Sequence, residues 1–422
     1  MISFDIAVIG GGVVGGMLTR TLSARYPNHK IGLFEKESGL GLHTSTRNSA
    51  VLHAGFYYAS NTVKASLCKE GNKTLTQYCL DHKVNLRKTG KFLVARNSVE
   101  NERLAQIKKQ GDINGVELEL MEVDRALKIE KYLKVNDKNF QFLYSPTTSV
   151  ADNKGLMKSI HEDLKQCKNV QVFTNHKYTD LIENKDQQTL FNVLKMPNEK
   201  QLVSAKYFIN AGGLYADVIA KQFNFCKKYV IWPFKGSYLI NNRPIPEANA
   251  IIYPVPPLAG NYFLGIHTTL TTDGHLKIGP SIFPALWREQ YNWKDNFVLS
   301  EFSQILSLNV QNVLSKDMKF YAQSLLNELK KINKTYMIKE AKKLTTQLDQ
   351  IPENQLHEYF DRGKPGIRSQ LFDTEQRKME QDFIFEHDKN SFHLLNVASP
   401  GWTCSIPMSE YICDIISKHK YI

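Results

Sequence analysis

The sequence has only six cysteines in 422 residues, at positions 68, 79, 167, 226, 404 and 413, with no CxxC pair and no metal-type spacing to histidine. That argues against a disulfide scaffold or a metal module and for reduced, mostly buried thiols in a reducing compartment. No run of about 18 apolar residues occurs, so no membrane-crossing helix is expected. The chain enters an apolar strand by Phe4, which leaves no room for a charged region and apolar core of a leader. A cytoplasmic protein, at most peripheral on the inner face of a membrane, is the expectation. An arginine-rich block, a nucleic-acid motif, an internal repeat and a low-complexity linker are also missing. The 54 Lys and Arg exceed the 42 Asp and Glu, for a net charge of +12. The excess favours anionic substrates or an acidic membrane surface, but the lysines are spread along the chain and no nucleic-acid partner is expected.

At 422 residues the chain exceeds the size at which one core usually keeps growing, which predicts two packed domains or one domain with a large insertion. FDIAVI (4–9) is a short apolar run of the buried parallel-strand kind, followed at once by glycines and a helical stretch, and KIGLFEK supplies a second strand. Strand, glycine turn and helix recur at SAKYFINAGGLYADVIAKQF (204–223) and at FHLLNVASPGWTCSIPMSEY near the C-terminus. Between them, residues 229–300 are rich in aromatics and β-formers, with turn pairs at Asn241-Asn242, Ala259-Gly260 and Asp273-Gly274. Residues 296–350 carry helical periodicity and a Lys-rich polar face, predicting two or three helices. The expected fold is α/β: a Rossmann-type dinucleotide domain (1–90, 140–228 and 360–422) with an inserted α+β domain on an antiparallel sheet (91–139 and 229–359).

Gly10, Gly12 and Gly15 form GxGxxG between a predicted strand and a helix, and Glu35 lies at the end of the next strand, with Lys36 beside it. Glycines let the backbone approach a pyrophosphate, the helix N-terminus offers free N–H groups, and the carboxylate accepts from ribose hydroxyls. FAD and NAD share this fingerprint. The return through Gly212 and Gly213, and then through Pro400, Gly401, Trp402 and Thr403 into a last helix, favours FAD. A helix N-terminus there can face the pyrimidine end of an isoalloxazine and stabilise the charge that reduction leaves on it. Pro407 is tolerable only in the first turn of that helix.

The set DIAVIGGG, GLGLHTSTRNSAVLHAGFYY, SLCKEGNK, TGKFLVA, NAGGLYAD, IYPVP, FLGIHTT, GIRSQL and ASPGWT resembles the L-2-hydroxyglutarate dehydrogenase/oxidase family within the D-amino-acid-oxidase-type flavoproteins. The likeness covers nearly the whole chain, is densest before residue 95 and weakest across 296–350. It implies FAD-dependent oxidation of the 2-hydroxyl of a five-carbon dicarboxylate, L-2-hydroxyglutarate to 2-oxoglutarate, by hydride transfer to flavin N5, with electrons passing to quinone or oxygen. It also implies that Thr44, Ser45, Asn48 and Ser49 serve phosphate or ring atoms, and that His53, Tyr57, Tyr58 and Tyr253 lie on the reacting side.

The chemistry asks for a base for the hydroxyl proton and cations for the carboxylates. His53 and His267 are the candidate bases, with His53 preferred by motif. Arg368 is the leading carboxylate clamp, because a guanidinium grips a carboxylate through two parallel bonds; Lys91 and Lys235 are weaker candidates. Lys235 stands where the family tends to have Arg, and Arg47, Ala50 and Trp402 also depart from its pattern, so the exact 2-hydroxy acid is left open. The competing expectations are an amine or amino-acid oxidase of the same superfamily and a membrane-associated flavin-bound accessory protein.

Overall fold

The computed structural model describes residues 1–185, 188–244, 247–256, 265–314 and 319–422. The Ala259-Gly260 turn pair lies outside them. Strand Ile2–Ile9 pairs in parallel with Ile31–Phe34 on one side and Glu199–Asn210 on the other. Val170–Phe173 extends the sheet beyond Ile31–Phe34, and Ser391–Asn396 pairs in parallel with the end of Glu199–Asn210. Side chains alternate across it: Ile6 and Val8 face one core, Ala7 and Ile9 another. Both faces are covered, which is why FDIAVI is apolar without alternation.

Helices Val13–Arg25, Asn153–Gln166 and Ser405–Lys418 cover the first face through Met17, Leu22, Ile160, Leu164, Met408 and Ile412. Pro407 is the third residue of the last helix, in its first turn. On the opposite face, the antiparallel hairpin His176–Lys185 and Gln188–Lys195 joins Glu199–Asn210 and closes a cluster of Phe34, Phe191, Phe208 and Phe223.

The second sheet runs, in spatial order, Lys378–Met379, Gly366–Asp373, Tyr229–Asn241, Leu276–Pro284, His267–Leu270, Ile251–Pro254, Lys91–Val94, Phe142–Ser145 and Glu119–Met121. Its pairings are antiparallel except between Ile251–Pro254 and Lys91–Val94, so it is mixed rather than purely antiparallel. Phe142–Ser145 and Gly366–Asp373, grouped by sequence position with the nucleotide unit, hydrogen-bond into this sheet. A strand takes whichever partner its register and apolar face allow, and linear position does not specify that partner. Among the described residues the 296–350 segment holds three α-helices, Leu299–Leu314, Lys319–Lys330 and Lys334–Lys342, and a 3-10 turn at Gln347–Gln350. Ile305 packs with Trp232 and Phe234, while Met337, Ile338 and Ala341 pack on Leu239 and Ile278. All six cysteines are free, five of them buried. Among the described residues no helix is long and apolar enough to cross a membrane.

Candidate active site

Backbone bonds from Gly10 N to the Phe34 carbonyl and from Ala211 N to the Ile9 carbonyl, each 2.8 Å, set three strand ends side by side. Ligands of open α/β sheets bind at this carboxyl edge. A Cβ on Gly15 would lie 2.0 Å from the Gly10 carbonyl oxygen, so only glycine lets the helix sit this close to the turn. Gly12 is different: the nearest atom to its Cβ would be Ser45 Oγ at 3.2 Å, and the space it leaves open belongs to a cleft. The helix begins there without a side-chain cap from Gly12, and the Val13 N–H donates to Ser45 Oγ at 2.9 Å.

That cleft has two chambers, of about 520 and about 310 Å³, which share Gly12, Thr44, Ser45, Ala211 and Gly213 as walls. The larger runs past Gly10, Glu35, Lys36 and Gly212. Glu35 is buried; its Oε2 accepts from the Gly11 N–H at 2.7 Å and its Oε1 from the Glu37 N–H at 2.9 Å. Burial pushes its pKa up against those two donors.

Several charges around this chamber are paired. Lys36 Nζ lies 2.7 Å from Glu37 Oε1 and 2.5 Å from Glu289 Oε1. His43 bridges Tyr291 Oη at 2.8 Å and Glu37 Oε1 at 2.9 Å. The hydrogen bond from His43, with Lys36 adding to it, holds the Glu37 carboxyl down at about 2. Arg288 binds both oxygens of Asp217, at 2.8 and 2.9 Å, with each side chain 1% exposed. Glu37, His43 and Glu289 come close enough to share a cation, but the Lys36 ammonium already binds both carboxylates.

The smaller chamber is walled by Ser49, His53, Tyr238, Tyr253, His267, Arg368 and the Pro400–Thr403 turn. Its polar groups are largely unanswered: Arg368 Nε, His267 Nε2 and Trp402 Nε1 are buried without a hydrogen-bond partner. None of the residues lining it is an Asp or a Glu. Burial lowers the pKa of Arg368, with the nearby Tyr58 opposing. His53 and His267 are each pushed down to about 3, first by burial. His267 Nδ1 lies 3.0 Å from the Gly265 carbonyl, an acceptor only, so Nδ1 carries the proton and Nε2 keeps its lone pair in the neutral ring. Tyr253 stacks on His267 with ring centroids 3.8 Å apart.

Asn48 lines this chamber while its side chain folds the loop: its amide donates to the Thr44 and Ser45 carbonyls and its oxygen accepts from the Ala50 N–H. Thr403 Oγ1 accepts from the His53 N–H at 3.2 Å, tying the last turn to the His53 loop.

Tyr57, Tyr58, Lys91 and Lys235 are in neither chamber wall. For Lys235 the reason is strand alternation: Phe234, Gly236 and Tyr238 face the chamber, so the residue between them faces away. The same alternation, applied to PFKGSY, points to Tyr238, which the motif comparison passes over. Arg47, with its guanidinium 4.1 Å from the centre of the Tyr291 ring, also lines the chamber. The Arg288–Asp217 pair spans 71 residues and leaves no local signal in the sequence.

A parallel nucleotide-type sheet, a second sheet closing over its carboxyl edge, and a two-chambered cleft entered by a glycine turn make this a dinucleotide-dependent oxidoreductase of the flavin type. Residues 5–415 match the DAO family, FAD dependent oxidoreductases, and the chain belongs to that family. It is 29% identical over 429 residues to the mitochondrial L-2-hydroxyglutarate dehydrogenase of Nematostella vectensis, covering 97% of this chain and 90% of that protein. It is 28% identical to the L-2-hydroxyglutarate dehydrogenase of Escherichia coli K12 (97% and 92% covered) and 28% identical to the human mitochondrial one (99% and 89%). In fold it is similar to L-alpha-glycerophosphate oxidase from Mycoplasma pneumoniae with FAD bound, at a TM-score of 0.73 and 20% identity over 99% of this chain and 95% of that one. Glycine oxidase from Geobacillus kaustophilus matches at a TM-score of 0.71 and 14% identity, with the same coverages.

Proposed function

We propose that this FAD-dependent oxidoreductase oxidises a 2-hydroxy acid, L-2-hydroxyglutarate, to the 2-oxo acid. The observation that carries the reading is the smaller chamber, where an unpaired guanidinium and two neutral imidazoles meet with no carboxylate in the wall. It is supported by near-full-length similarity to L-2-hydroxyglutarate dehydrogenases. An amino-acid oxidase reacts with an uncharged amine and its substrate also carries a carboxylate for Arg368, so the preference for a 2-hydroxy acid is supported by the similarity to L-2-hydroxyglutarate dehydrogenases.

The residues fit FAD. The space kept open at Gly12, the helix N-terminus behind it, and Thr44, Ser45 and Gly213 suit the phosphates; Glu35 suits a ribose; the Pro400–Thr403 turn suits the flavin ring. FAD, when bound, accepts the hydride from C2 of the acid. Arg368 holds the carboxylate next to that carbon. The hydroxyl proton goes to an imidazole. The sequence favours His53, whereas the fixed Nδ1 proton favours His267, whose Nε2 has the free lone pair. Quinone or oxygen would be the final acceptor of the electrons that FAD takes up. Peripheral membrane attachment is consistent with the net charge of +12, with exposed Leu299, Leu314, Leu326 and Ile332 on the helical segment, and with exposed Trp293 just before it.

Anaerobic mixing of the yellow protein with L- and D-2-hydroxy acids and with amino acids is the test. Bleaching by L-2-hydroxyglutarate ahead of the D-isomer and of all amino acids is expected. Preferential bleaching by an amino acid would overturn the reading.

A further inference from the structure

Beyond the walls it shares with the smaller chamber, the larger chamber is lined from both halves of the molecule. The nucleotide half contributes Tyr215 and, on helix Ala216–Gln222, Ile219. The inserted half contributes Arg288 and Glu289, just after strand Leu276–Pro284, and Glu301 and Gln304, on the first turns of helix Leu299–Leu314. Two links pin the inserted half across the chamber. Arg288 grips both oxygens of Asp217 on helix Ala216–Gln222 and donates to the Leu214 carbonyl, and Glu289 lies 2.5 Å from Lys36, next to Glu35. The Arg288 backbone N–H donates to Glu301 Oε2 at 3.0 Å, so the helix hangs on the residue that grips the nucleotide half. Between them Trp287 Nε1 donates to the Asp295 carbonyl at 2.8 Å and Phe297 meets the Trp287 ring edge-on, with centroids 5.2 Å apart. Arg288 lines the chamber while its Nε is buried without a partner. An ordered loop and a buried ion pair both cost free energy, so such a link contributes little stability by itself; what it accomplishes is closure of the chamber.

We propose that Arg288 and Glu301 form a clasp that makes the start of helix Leu299–Leu314 the outer wall of the adenosine site, so that the inserted half of the chain holds FAD by its adenosine end. The inference rests on the placement of FAD given above: with the flavin ring at the Pro400–Thr403 turn and a ribose at Glu35, the adenine falls in the part of the larger chamber that this clasp closes. Adenine presents an amino donor beside ring-nitrogen acceptors, and Gln304, exposed on the chamber's rim, offers an amide with the matching acceptor and donor. Ile219 and Val298 supply apolar surface for the faces of the base. Glu301 acts through Arg288 and is a positioning residue, whereas Gln304 is a binding one. This wall comes from the segment where the family resemblance is weakest, so the glycine fingerprint gives no hint of it.

The test follows FAD release from the loaded protein on dilution, read as the rise in flavin fluorescence, and then the affinity of the FAD-stripped full chain for FAD, ADP and FMN. Glu301→Ala and Gln304→Ala should each release FAD about threefold faster or more and bind ADP more weakly by a similar factor, with FMN affinity unchanged. Glu301→Gln keeps an acceptor for the Arg288 N–H and should behave as the wild type. FAD release at the wild-type rate from both Ala variants overturns the proposal. So does a loss of FMN affinity as large as that of ADP, which would mean a general loosening of the fold, and so does release from Glu301→Gln as fast as from Glu301→Ala, which would mean that the hydrogen bond to Arg288 is not the link. A wild-type chain that binds FMN but not ADP would instead overturn the placement of FAD on which the clasp rests.

Discussion

The two chambers of the cleft are built on opposite electrostatic plans. Around Glu35 several ions have partners inside the protein: Lys36 with Glu37 and Glu289, Arg288 with Asp217, and Glu35 itself with two backbone donors. Around His267 several buried polar atoms have none: Arg368 Nε, His267 Nε2, Trp402 Nε1 and, behind the wall, Lys91 Nζ. A buried polar atom without a partner costs about 1–3 kcal/mol. Such a cluster is tolerable where a ligand completes it, so the larger chamber meets its ligand with most of its buried side-chain charges already matched, and the smaller one meets it with polar atoms still open.

The largest test of that contrast is at the junction. Gly12→Val should purify folded and colourless, because its side chain fills ligand space rather than protein. Gly15→Ala should fail to fold, its Cβ meeting the Gly10 carbonyl at 2.0 Å. Circular dichroism with flavin absorbance separates the two, and a yellow Gly12→Val protein would sink the cleft assignment.

Next is the base. Loss of the acceptor imidazole should slow flavin reduction by about 10²- to 10⁴-fold with FAD retained. Measuring His267→Ala and His53→Ala side by side shows which ring it is, and wild-type rates in both would remove imidazole from the mechanism.

Stability should divide along the same line. Arg288→Met leaves Asp217 buried and unpaired, a loss of about 3–5 kcal/mol on denaturant unfolding. Lys91→Met removes a cation that had no partner and should not destabilise at all. Its folded-state pKa of about 7 lies below the unfolded value of 10.5. Below pH 7 the folded protein carries the full burden of the buried charge. Between about 7 and 10.5 the unfolded chain binds more protons, so stability rises with pH and the burden disappears. The gain from Lys91→Met should accordingly be greatest below pH 7 and fade toward pH 10; a loss at pH 6 would mean that Lys91 has a partner.

Arg368→Lys should weaken substrate binding by about tenfold or more, since a point charge cannot reproduce two parallel bonds, with flavin absorbance unchanged before substrate is added. A spectrum altered in the free protein would place Arg368 on the flavin instead. The smallest effect concerns the outer surface: sedimentation with anionic vesicles at low salt and release as salt rises. Binding indifferent to both salt and lipid charge would discard the electrostatic mode.

Much of the nucleotide half was legible because its signals are local. A tight turn, a helix start and an acid at a strand end follow one another within Gly10–Glu35, and strand periodicity carries the rest. The smaller chamber was legible only in part. His53, His267, Tyr253 and Arg368 line it. Lys235 faces away, Lys91 lies behind the wall, and Tyr238 faces in without having been singled out, because a motif records residue identity while the direction of a strand side chain depends on parity and on which face is covered.

By itself the sequence determined the glycine turn, the buried parallel strand, the acid that follows it and the helix start at the C-terminus, all set by steric and hydrogen-bonding rules acting within a few residues. Only the tertiary structure decided that Gly366–Asp373 joins the second sheet, that Arg288 meets Asp217, and that Lys91 is left without a hydrogen-bond partner among the rings of Phe56, Tyr57 and Tyr253. These contacts bring together residues tens to hundreds of positions apart, and they exist because burying both sheets' apolar faces fixes where each chain segment must lie, after which charge and polarity are paired or left waiting by geometry alone.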